Sequence, residues 1–182
     1  RRVQLLSITK KYLGPEPMFE EIGHATPYQV PEEIRVMIED QLSKASEALS
    51  LYNTAFHAEF RLRHEASPVL VELGARLPGG FIPQLVRLAH GVDMLEASLC
   101  LATGLEYSVL PHHSSIAAIR FLQDETAALK FAGAYDQIRA LPFVDELSIY
   151  GGVGIGRRGH VIWTAPDFSS LDYRWKLISE IN

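Results

Sequence analysis

Cysteine is almost absent from this chain, since its 182 residues contain only Cys100. A disulfide within the chain is therefore excluded, which fits a reducing compartment. No apolar run approaches the roughly 20 residues of a membrane-spanning helix, and no signal peptide opens the sequence. We therefore expect a cytoplasmic protein that does not bind a membrane.

Blocks of like charge are also missing. The chain carries 22 acidic and 17 basic residues, a net charge of −5, and nothing in their distribution predicts binding to nucleic acid. A polyanionic substrate would therefore need a metal ion or a few well-placed cations. The sequence starts at Arg1 instead of a methionine and enters a strand-like pattern at once. We expect it to be a segment of a larger protein.

Hydrophobic periodicity predicts an α+β fold. Strands are predicted at residues 3–9, 56–63, 69–73, 116–122, 143–149 and 160–164, and helices at 31–50, 82–90, 93–102 and 168–181, with a short helix between 122 and 143. The loop predicted at residues 10–30 rests on Gly14, Pro15, Pro17, Gly23 and Pro27, and a linker is predicted at 105–115. Pro31 is the expected first residue of the first helix, with Glu32 and Glu33 in its first turn.

Two glutamates mark the predicted hairpin of residues 56–63 and 69–73. Glu59 interrupts an apolar pattern on the first strand, and Glu72 ends the apolar run of the second. Around a short turn they can lie side by side on one face, where they repel each other unless one is protonated or a cation lies between them. Such hard oxygen ligands suit Mg²⁺. The alternative is that both are exposed and pair with Arg61, Arg63 or Arg76, because surface Glu–Arg pairs are common.

The residues after Glu72 favour a site for a metal and a phosphate. Arg76 follows four positions later, and Gly79-Gly80 opens the next predicted helix. Arginine recognises phosphate or carboxylate with two hydrogen bonds. Glycines before a helix N-terminus let backbone N–H groups approach an anion. A plain strand-to-helix turn would explain the glycine pair taken alone.

These residues resemble the closing motifs of the ATP-grasp superfamily. The likeness rests on His57-Ala58-Glu59-Phe60, on Val71 to Gly80 and on Ala89-His90-Gly91-Val92-Asp93. The branch with the best match is the carboxylate–amine ligases, which include the bacterial L-amino-acid (dipeptide) ligases. The resemblance implies that residues 1–105 form the C-terminal half of an ATP-grasp domain, an antiparallel sheet with packed helices. Residues 106–182 would form a small α/β C-terminal lobe.

The resemblance also implies roles for the motif residues. Glu59 and Glu72 would bind the magnesium that bridges the nucleotide phosphates, and Arg76 would contact the γ-phosphate and the acyl-phosphate intermediate. Gly79 and Gly80 would orient the carboxylate that is activated.

Two further positions come from the segment Glu20 to Pro27, which resembles the loop that encloses the substrate in the amino-acid ligases. By that likeness Glu21 and His24 are candidates for the amino and carboxylate groups of the substrate, although His24 could equally be an ordinary loop histidine. Gly74 departs from the family pattern, since many members have an asparagine there as an additional metal ligand. The glycine favours the amino-acid-ligase branch and leaves the second metal with one ligand fewer.

The function implied by the resemblance is amide-bond formation through an acyl phosphate. ATP and Mg²⁺, with Mn²⁺ as a substitute, would be the cofactors, small carboxylates and amines the partners, and a homodimer is left open. The alternatives are an ATP-grasp carboxylase, a nucleotide-biosynthesis ligase and a catalytically inactive binding module. The lysines and glycine-rich loop that clamp the nucleotide in this superfamily are not recognisable, so the isolated chain is expected to be inactive.

Two remaining features carry weaker expectations. Gly151 to Gly159 does not fit a phosphate-binding fingerprint and is interpreted as a flexible hairpin, whose Arg157 and Arg158 could face a substrate. His112 and His113 lack further ligands at metal-binding spacing, so a solvated linker is expected there.

Overall fold

The computed structural model describes residues 3–62, 67–110, 115–150 and 156–181. Arg63, His112, His113 and residues 151–155 of the glycine-rich segment therefore lie outside the described residues. The strands are β1 (Lys10–Leu13), β2 (Glu21–Thr26), β3 (His57–Arg61), β4 (Val69–Gly74), β5 (Ile116–Leu122), β6 (Val144–Ile149) and β7 (Gly159–Ala165). The helices are α1 (Glu32–Ala48), α2 (Ile82–His90), α3 (Met94–Thr103), α4 (Glu125–Gly133), α5 (Tyr135–Arg139) and α6 (Phe168–Glu180).

The main sheet has five strands in the order β1-β2-β5-β7-β6, and every neighbouring pair is antiparallel. The strands β3 and β4 form a separate antiparallel hairpin. The α+β prediction with an antiparallel sheet is therefore confirmed. Because β2 pairs with β5, the sheet joins strands from both sides of residue 105, and the division of the chain at that residue stays a prediction.

Both faces of the sheet are covered by helices, and the side chains of β5 alternate between the two cores. On one face Ala117, Ile119 and Phe121 pack with Leu85 and Ala89 of α2. On the other face a larger core holds residues of β5 and β7 against α4, α5 and α6, including Ile116, Ala118, Phe131, Ile138, Trp163, Leu171 and Ile178. None of the helices that the structure describes is long and apolar enough to cross a bilayer.

The structure corrects the N-terminal predictions. Residues 3–9 are not a strand, and residues 10–30 contain β1 and β2 instead of one loop. The ladder between β1 and β2 begins at Lys10 opposite Ala25. In that register Pro27, which has no N–H to donate, would lie opposite residue 8, and the N–H of Tyr28 donates to the Ile8 oxygen instead.

Gly23 misled the sequence prediction because it lies inside β2. A Cβ atom there would collide with the carbonyl oxygen of Ile119 on β5, so glycine allows the two strands to approach each other. Pro31 is the N-cap of α1 and not its first helical residue, while Glu32 and Glu33 lie in the first turn as expected. The predictions at Gly23 and Pro31 were wrong because they treated glycine and proline as signals of local structure only. The structural role of each residue also depends on its neighbours in the fold.

Candidate functional site

The hairpin places the two predicted glutamates directly opposite each other. Glu59 on β3 is the register partner of Glu72 on β4, and the pair His57 and Gly74 follows two residues away on the same face. The extra residue of a β-bulge lies beside Glu59, where the register shifts. The sequence prediction that the two carboxylates lie side by side is therefore confirmed, while their role as metal ligands stays a prediction.

Gly74 has a local explanation in the ring of His57. A Cβ atom at Gly74 would lie 2.7 Å from His57 Nε2, so any side chain there would have to displace the imidazole. The asparagine that many ATP-grasp proteins carry at this position would meet the same obstacle. The glycine and the histidine therefore form a matched pair across the two strands.

A lysine that the sequence prediction missed lies at this site. Lys11 Nζ is 2.5 Å from Glu59 Oε1 and 2.6 Å from Glu21 Oε1, so one ammonium joins the main sheet to the hairpin. All three side chains are about one-third exposed, with 31%, 35% and 34% of their surfaces accessible for Lys11, Glu21 and Glu59. No local pattern indicated Lys11, because its segment was predicted to be a loop.

The pKa values of this cluster follow from its charges. Burial alone would lower the pKa of Lys11, but the hydrogen bonds and charges of Glu21 and Glu59 outweigh it and raise that pKa. Burial would likewise raise the pKa of Glu21, yet the hydrogen bond and charge of Lys11, helped by His24 and Arg157, hold it below its usual value. Lys11 and Glu21 are therefore both charged at neutral pH.

Glu72 and Arg76 lie at the more open end of the hairpin. Arg76 Nη2 is 4.0 Å from Glu72 Oε1, and the two side chains are 63% and 53% exposed. A pair this exposed contributes only about 0–1 kcal/mol to stability. Glu72 therefore does pair with a surface arginine, as the alternative interpretation expected, but the pairing is weak. Both side chains are therefore accessible to a ligand.

His24 is buried and has free ring nitrogens. The side chain is 1% exposed, and among the described residues neither Nδ1 nor Nε2 has a hydrogen-bond partner. Its ring packs edge-on against Phe121 with centroids 5.6 Å apart, and Glu21 Oε2 lies 3.7 Å from Nε2. Burial lowers the pKa of His24 to about 4, against the opposing charge of Glu21. His24 is therefore neutral at physiological pH and presents an unused polar nitrogen.

The glycine turn before α2 lies against His24. Gly80 and Phe81 both have left-handed backbone conformations, with φ of 63° and 64°. A Cβ atom at Gly80 would lie 2.6 Å from His24 Nε2, whereas a Cβ atom at Gly79 would meet nothing within 4 Å. Gly80 is therefore required by both its backbone angle and its contact with the imidazole.

Phe81 keeps its left-handed conformation because aromatic rings pack around it. Its ring centroid is 4.3 Å from that of His160 and 6.4 Å from that of Phe121. His160 is itself buried and fixed at both nitrogens, since Nε2 lies 2.9 Å from Glu146 Oε1 and Nδ1 contacts the Tyr150 hydroxyl. His160, from the C-terminal part of the chain, therefore packs against the turn through Phe81. No local sequence pattern predicts this contact.

One large cleft brings most of the predicted residues together. It encloses about 1320 Å³ and is lined by Lys11, Glu21, His24, Glu59, Arg76, Gly79 and Gly80, among others. Glu72 is not among the lining residues, although it lies opposite Glu59. A cleft with a few converging polar groups is typical of a small-molecule site, and this one is larger than the roughly 300–1,000 Å³ common for such sites.

The glutamate pair fits a divalent cation that also contacts a substrate. Within the described ranges, no set of three or more His, Cys, Asp or Glu side chains is arranged to hold a metal. Mg²⁺ commonly uses only one or two protein carboxylates, with waters and substrate phosphates as its other ligands. Two carboxylates are enough for such a site, but Lys11 already contacts Glu59, so a cation would have to share that carboxylate with the ammonium or displace it. The role of Glu59 and Glu72 as metal ligands stays a prediction.

Replacing Gly80 by alanine should destabilise the protein by about 1–3 kcal/mol, because the new Cβ is strained at positive φ and clashes with His24. Gly79→Ala is the matched control and should change the free energy of unfolding by less than about 0.5 kcal/mol. Urea unfolding of both variants in the full-length protein checks this. Equal losses for the two alanines would contradict the contact between Gly80 and His24.

Comparison with known proteins supports one family. A family model of the ATP-grasp domain matches residues 2–84. The uncharacterized protein y4rH of Sinorhizobium fredii is 30% identical over 169 residues, covering 87% of this chain and 35% of that protein. Alanine--anticapsin ligase of Bacillus subtilis is 34% identical over 85 residues, covering 47% of this chain and 18% of the ligase.

The crystal structure of L-amino acid ligase from Bacillus licheniformis has a similar fold. It superimposes with a TM-score of 0.76 at 20% identity, covering 97% of this chain and 48% of that structure. This chain thus spans less than half the length of each of these three proteins. Residues 2–84 belong to the ATP-grasp domain family, and nearly the whole chain shares the fold of about half of this ligase structure.

Proposed function

We propose that the full-length protein is an ATP-dependent carboxylate–amine ligase. A carboxylate oxygen of one substrate attacks the γ-phosphorus of ATP, which releases ADP and forms an acyl phosphate. The nitrogen of an amine then attacks the acyl carbon, phosphate leaves, and the amine loses a proton as the amide forms. The observation that carries this proposal is the convergence of Lys11, Glu59, Arg76 and the Gly79-Gly80 turn on one cleft, with Glu72 opposite Glu59.

The chain's own charges suit a reaction that depends on positioning and charge neutralisation. Glu59 and Glu72 would hold Mg²⁺, which when bound neutralises the phosphates of ATP. Arg76, with a guanidinium that is 63% exposed, can make two hydrogen bonds to the transferring phosphoryl group. Lys11 adds a second cation about one-third exposed in the same cleft.

His24 and the glycine turn would orient the carboxylate that is activated. His24 is neutral, so it can donate one hydrogen bond without adding a charge that would bind the carboxylate too tightly for attack. The backbone of Gly80 lies against the same imidazole, which fixes the distance between the turn and the histidine. Glu21, held ionised by Lys11, is the matching acceptor for an ammonium group of the substrate.

Amino acids are the substrate class that the relatives favour. The names alanine–anticapsin ligase and L-amino acid ligase both specify amino acids for those proteins. A site with an ionised carboxylate, a neutral histidine and two cations is chemically suited to a zwitterion. We therefore include an amino acid among the substrates of the proposed reaction.

The test is a screen of the full-length protein for Mg²⁺-dependent ADP release with pairs of amino acids and small carboxylic acids. We expect ADP release that requires a carboxylate and an amine together, with stoichiometric amide identified by mass spectrometry. ADP release that depends on bicarbonate, without amide formation, would contradict the ligase and favour a carboxylase. An absence of ATP turnover with every pair would favour a binding module.

A further inference from the structure

The hairpin position that carries a further metal ligand in many ATP-grasp proteins is closed in this chain. Position 74 is glycine, and the imidazole of its cross-strand partner His57 fills the space that a side chain there would need. His57 Nε2 is buried and has no hydrogen-bond partner among the described residues, so it is not available to a ligand in the cleft. Glu59 and Glu72 are therefore the two carboxylates that β3 and β4 can offer to a cation.

The ammonium of Lys11 already lies where carboxylates from the two sheets converge. Its Nζ atom is 2.5 Å from Glu59 Oε1 on the hairpin and 2.6 Å from Glu21 Oε1 on the main sheet. A metal ion bound by the same two oxygens would meet the ammonium at close range, where like charges repel strongly. The ammonium and a divalent ion therefore exclude each other at this position.

Glu59 can keep this ion pair and still bind a divalent cation. The ion pair uses Oε1, and a carboxylate accepts through both of its oxygens. The second oxygen of Glu59 can therefore serve an ion that Glu72 holds from the opposite strand. An ammonium has three donors, of which Glu21 and Glu59 accept two, so the third N–H of Lys11 can hold a phosphate oxygen.

The three glutamates of the site each have a cationic neighbour. Lys11 lies between two of them, and Arg76 Nη2 is 4.0 Å from the third. Arg157, two residues before β7, adds another cation, with Nη2 3.6 Å from Glu21 Oε2. Three carboxylates thus face three cations, so a single divalent ion already makes this cluster positive. A second divalent ion would have to be attracted by the phosphates of a ligand alone.

We propose that the site binds one divalent cation, between Glu59 and Glu72, and that the ammonium of Lys11 takes the place of a second one. This inference rests on the proposed function, in which the hairpin carboxylates hold the metal of ATP. A tethered ammonium is always present at the site, whereas a second ion would have to be captured from solution. The cation that bridges the main sheet and the hairpin is thus part of the chain itself.

The experiment counts the Mn²⁺ ions that the full-length protein binds together with a non-hydrolysable ATP analogue. The analogue is kept below the protein concentration, so that no excess nucleotide holds Mn²⁺ in solution, and free Mn²⁺ is measured by its electron paramagnetic resonance signal. Wild type is compared with Lys11→Met, Lys11→Gln and Lys10→Met. Lys10→Met is the matched control, since Lys10 Nζ lies over the rings of Tyr12 and Tyr28.

Wild type and Lys10→Met should bind one Mn²⁺ ion per bound nucleotide. Both Lys11 variants should bind a second Mn²⁺ at least about tenfold more tightly than wild type does, because Glu21 and Glu59 have lost their shared cation and attract another. Mg²⁺ in excess over ATP should recover part of the activity that Lys11→Met has lost. The same excess should leave the rate of ADP release by wild type unchanged.

Two Mn²⁺ ions per bound nucleotide in wild type would overturn the proposal, and this count decides even if a Lys11 variant fails to fold. Folded Lys11 variants that bind a second ion no more tightly than wild type would also overturn it. Either result leaves the ligase proposal intact, provided that wild type forms an amide. If wild type binds no analogue and releases no ADP with any pair of substrates, the proposed function itself fails, and the single-cation proposal fails with it.

Discussion

Replacing Glu72 by glutamine in the full-length protein should lower kcat by roughly 10²–10⁴, because one of two hairpin carboxylates would no longer bind a divalent cation as an anion. The amide is nearly isosteric, and Glu72 is 53% exposed with only a 4.0 Å contact to Arg76. We therefore expect the free energy of unfolding to change by less than about 0.5 kcal/mol. Steady-state ADP release and urea unfolding measure the two effects.

A dependence on metal concentration separates cation binding from general damage to the site. If Glu72 is a ligand, Glu72→Gln should need a higher Mg²⁺ concentration for half-maximal activity than wild type does. Glu47→Gln, an exposed glutamate of α1, is the matched control and should behave as wild type. Wild-type activity of Glu72→Gln at low Mg²⁺ would remove the metal role from this residue.

Replacing Lys11 by methionine should have the second large effect, a loss of roughly 10²–10³ in kcat/KM, because the proposed reaction would lose a cation of the cleft that also orders Glu21 and Glu59. Glu21 and Glu59 would lose their shared ammonium, and both carboxylates would remain in the cleft. Lys10→Met is the matched control. Lys10 lies on the same strand, but its Nζ is over the rings of Tyr12 and Tyr28, at 5.0 and 5.3 Å.

The pH dependence of Lys11→Met should change in a defined direction. In wild type the pKa of Glu21 is depressed, so its ionisation stabilises the fold above the unfolded pKa, and this is lost as pH falls through the folded pKa. Without Lys11 the pKa of Glu21 rises toward or above its unfolded value, because the hydrogen bond and charge that lower it are lost. The stability that wild type loses on acidification should therefore be smaller in the variant. Urea unfolding between about pH 2 and 7 measures it, and a profile identical to that of Lys10→Met would contradict the ion cluster.

The hairpin could be predicted from the sequence because its information is local. Strand alternation and a short turn fix which side chains share a face, so Glu59 and Glu72 had to lie opposite each other once the two strands paired. The turn at Gly79-Gly80 was found for the same reason. Its close contact with His24 was not, because that histidine lies 56 residues earlier in the chain.

The parts of the site that the sequence missed or left open depend on distant partners. Lys11 contacts Glu21 ten residues away and Glu59 forty-eight residues away, and Arg157 contacts Glu21 from 136 residues away. Gly23 signalled a loop by its type, while its real use is the close approach of β2 to β5. Such contacts are decided by the order of strands in the sheet, which local propensities do not contain.

The pairing of β2 with β5 has a consequence for how the molecule assembles. Residues 27–115, which include the glutamate hairpin, connect these two neighbouring strands along the chain. Closing such a long segment is entropically costly before the strands pair, so we expect the sheet to form slowly relative to α1 and the hairpin. Substitutions at the β2–β5 seam, such as at Gly23, should therefore slow the appearance of ligand binding during refolding, even though they lie outside the cleft.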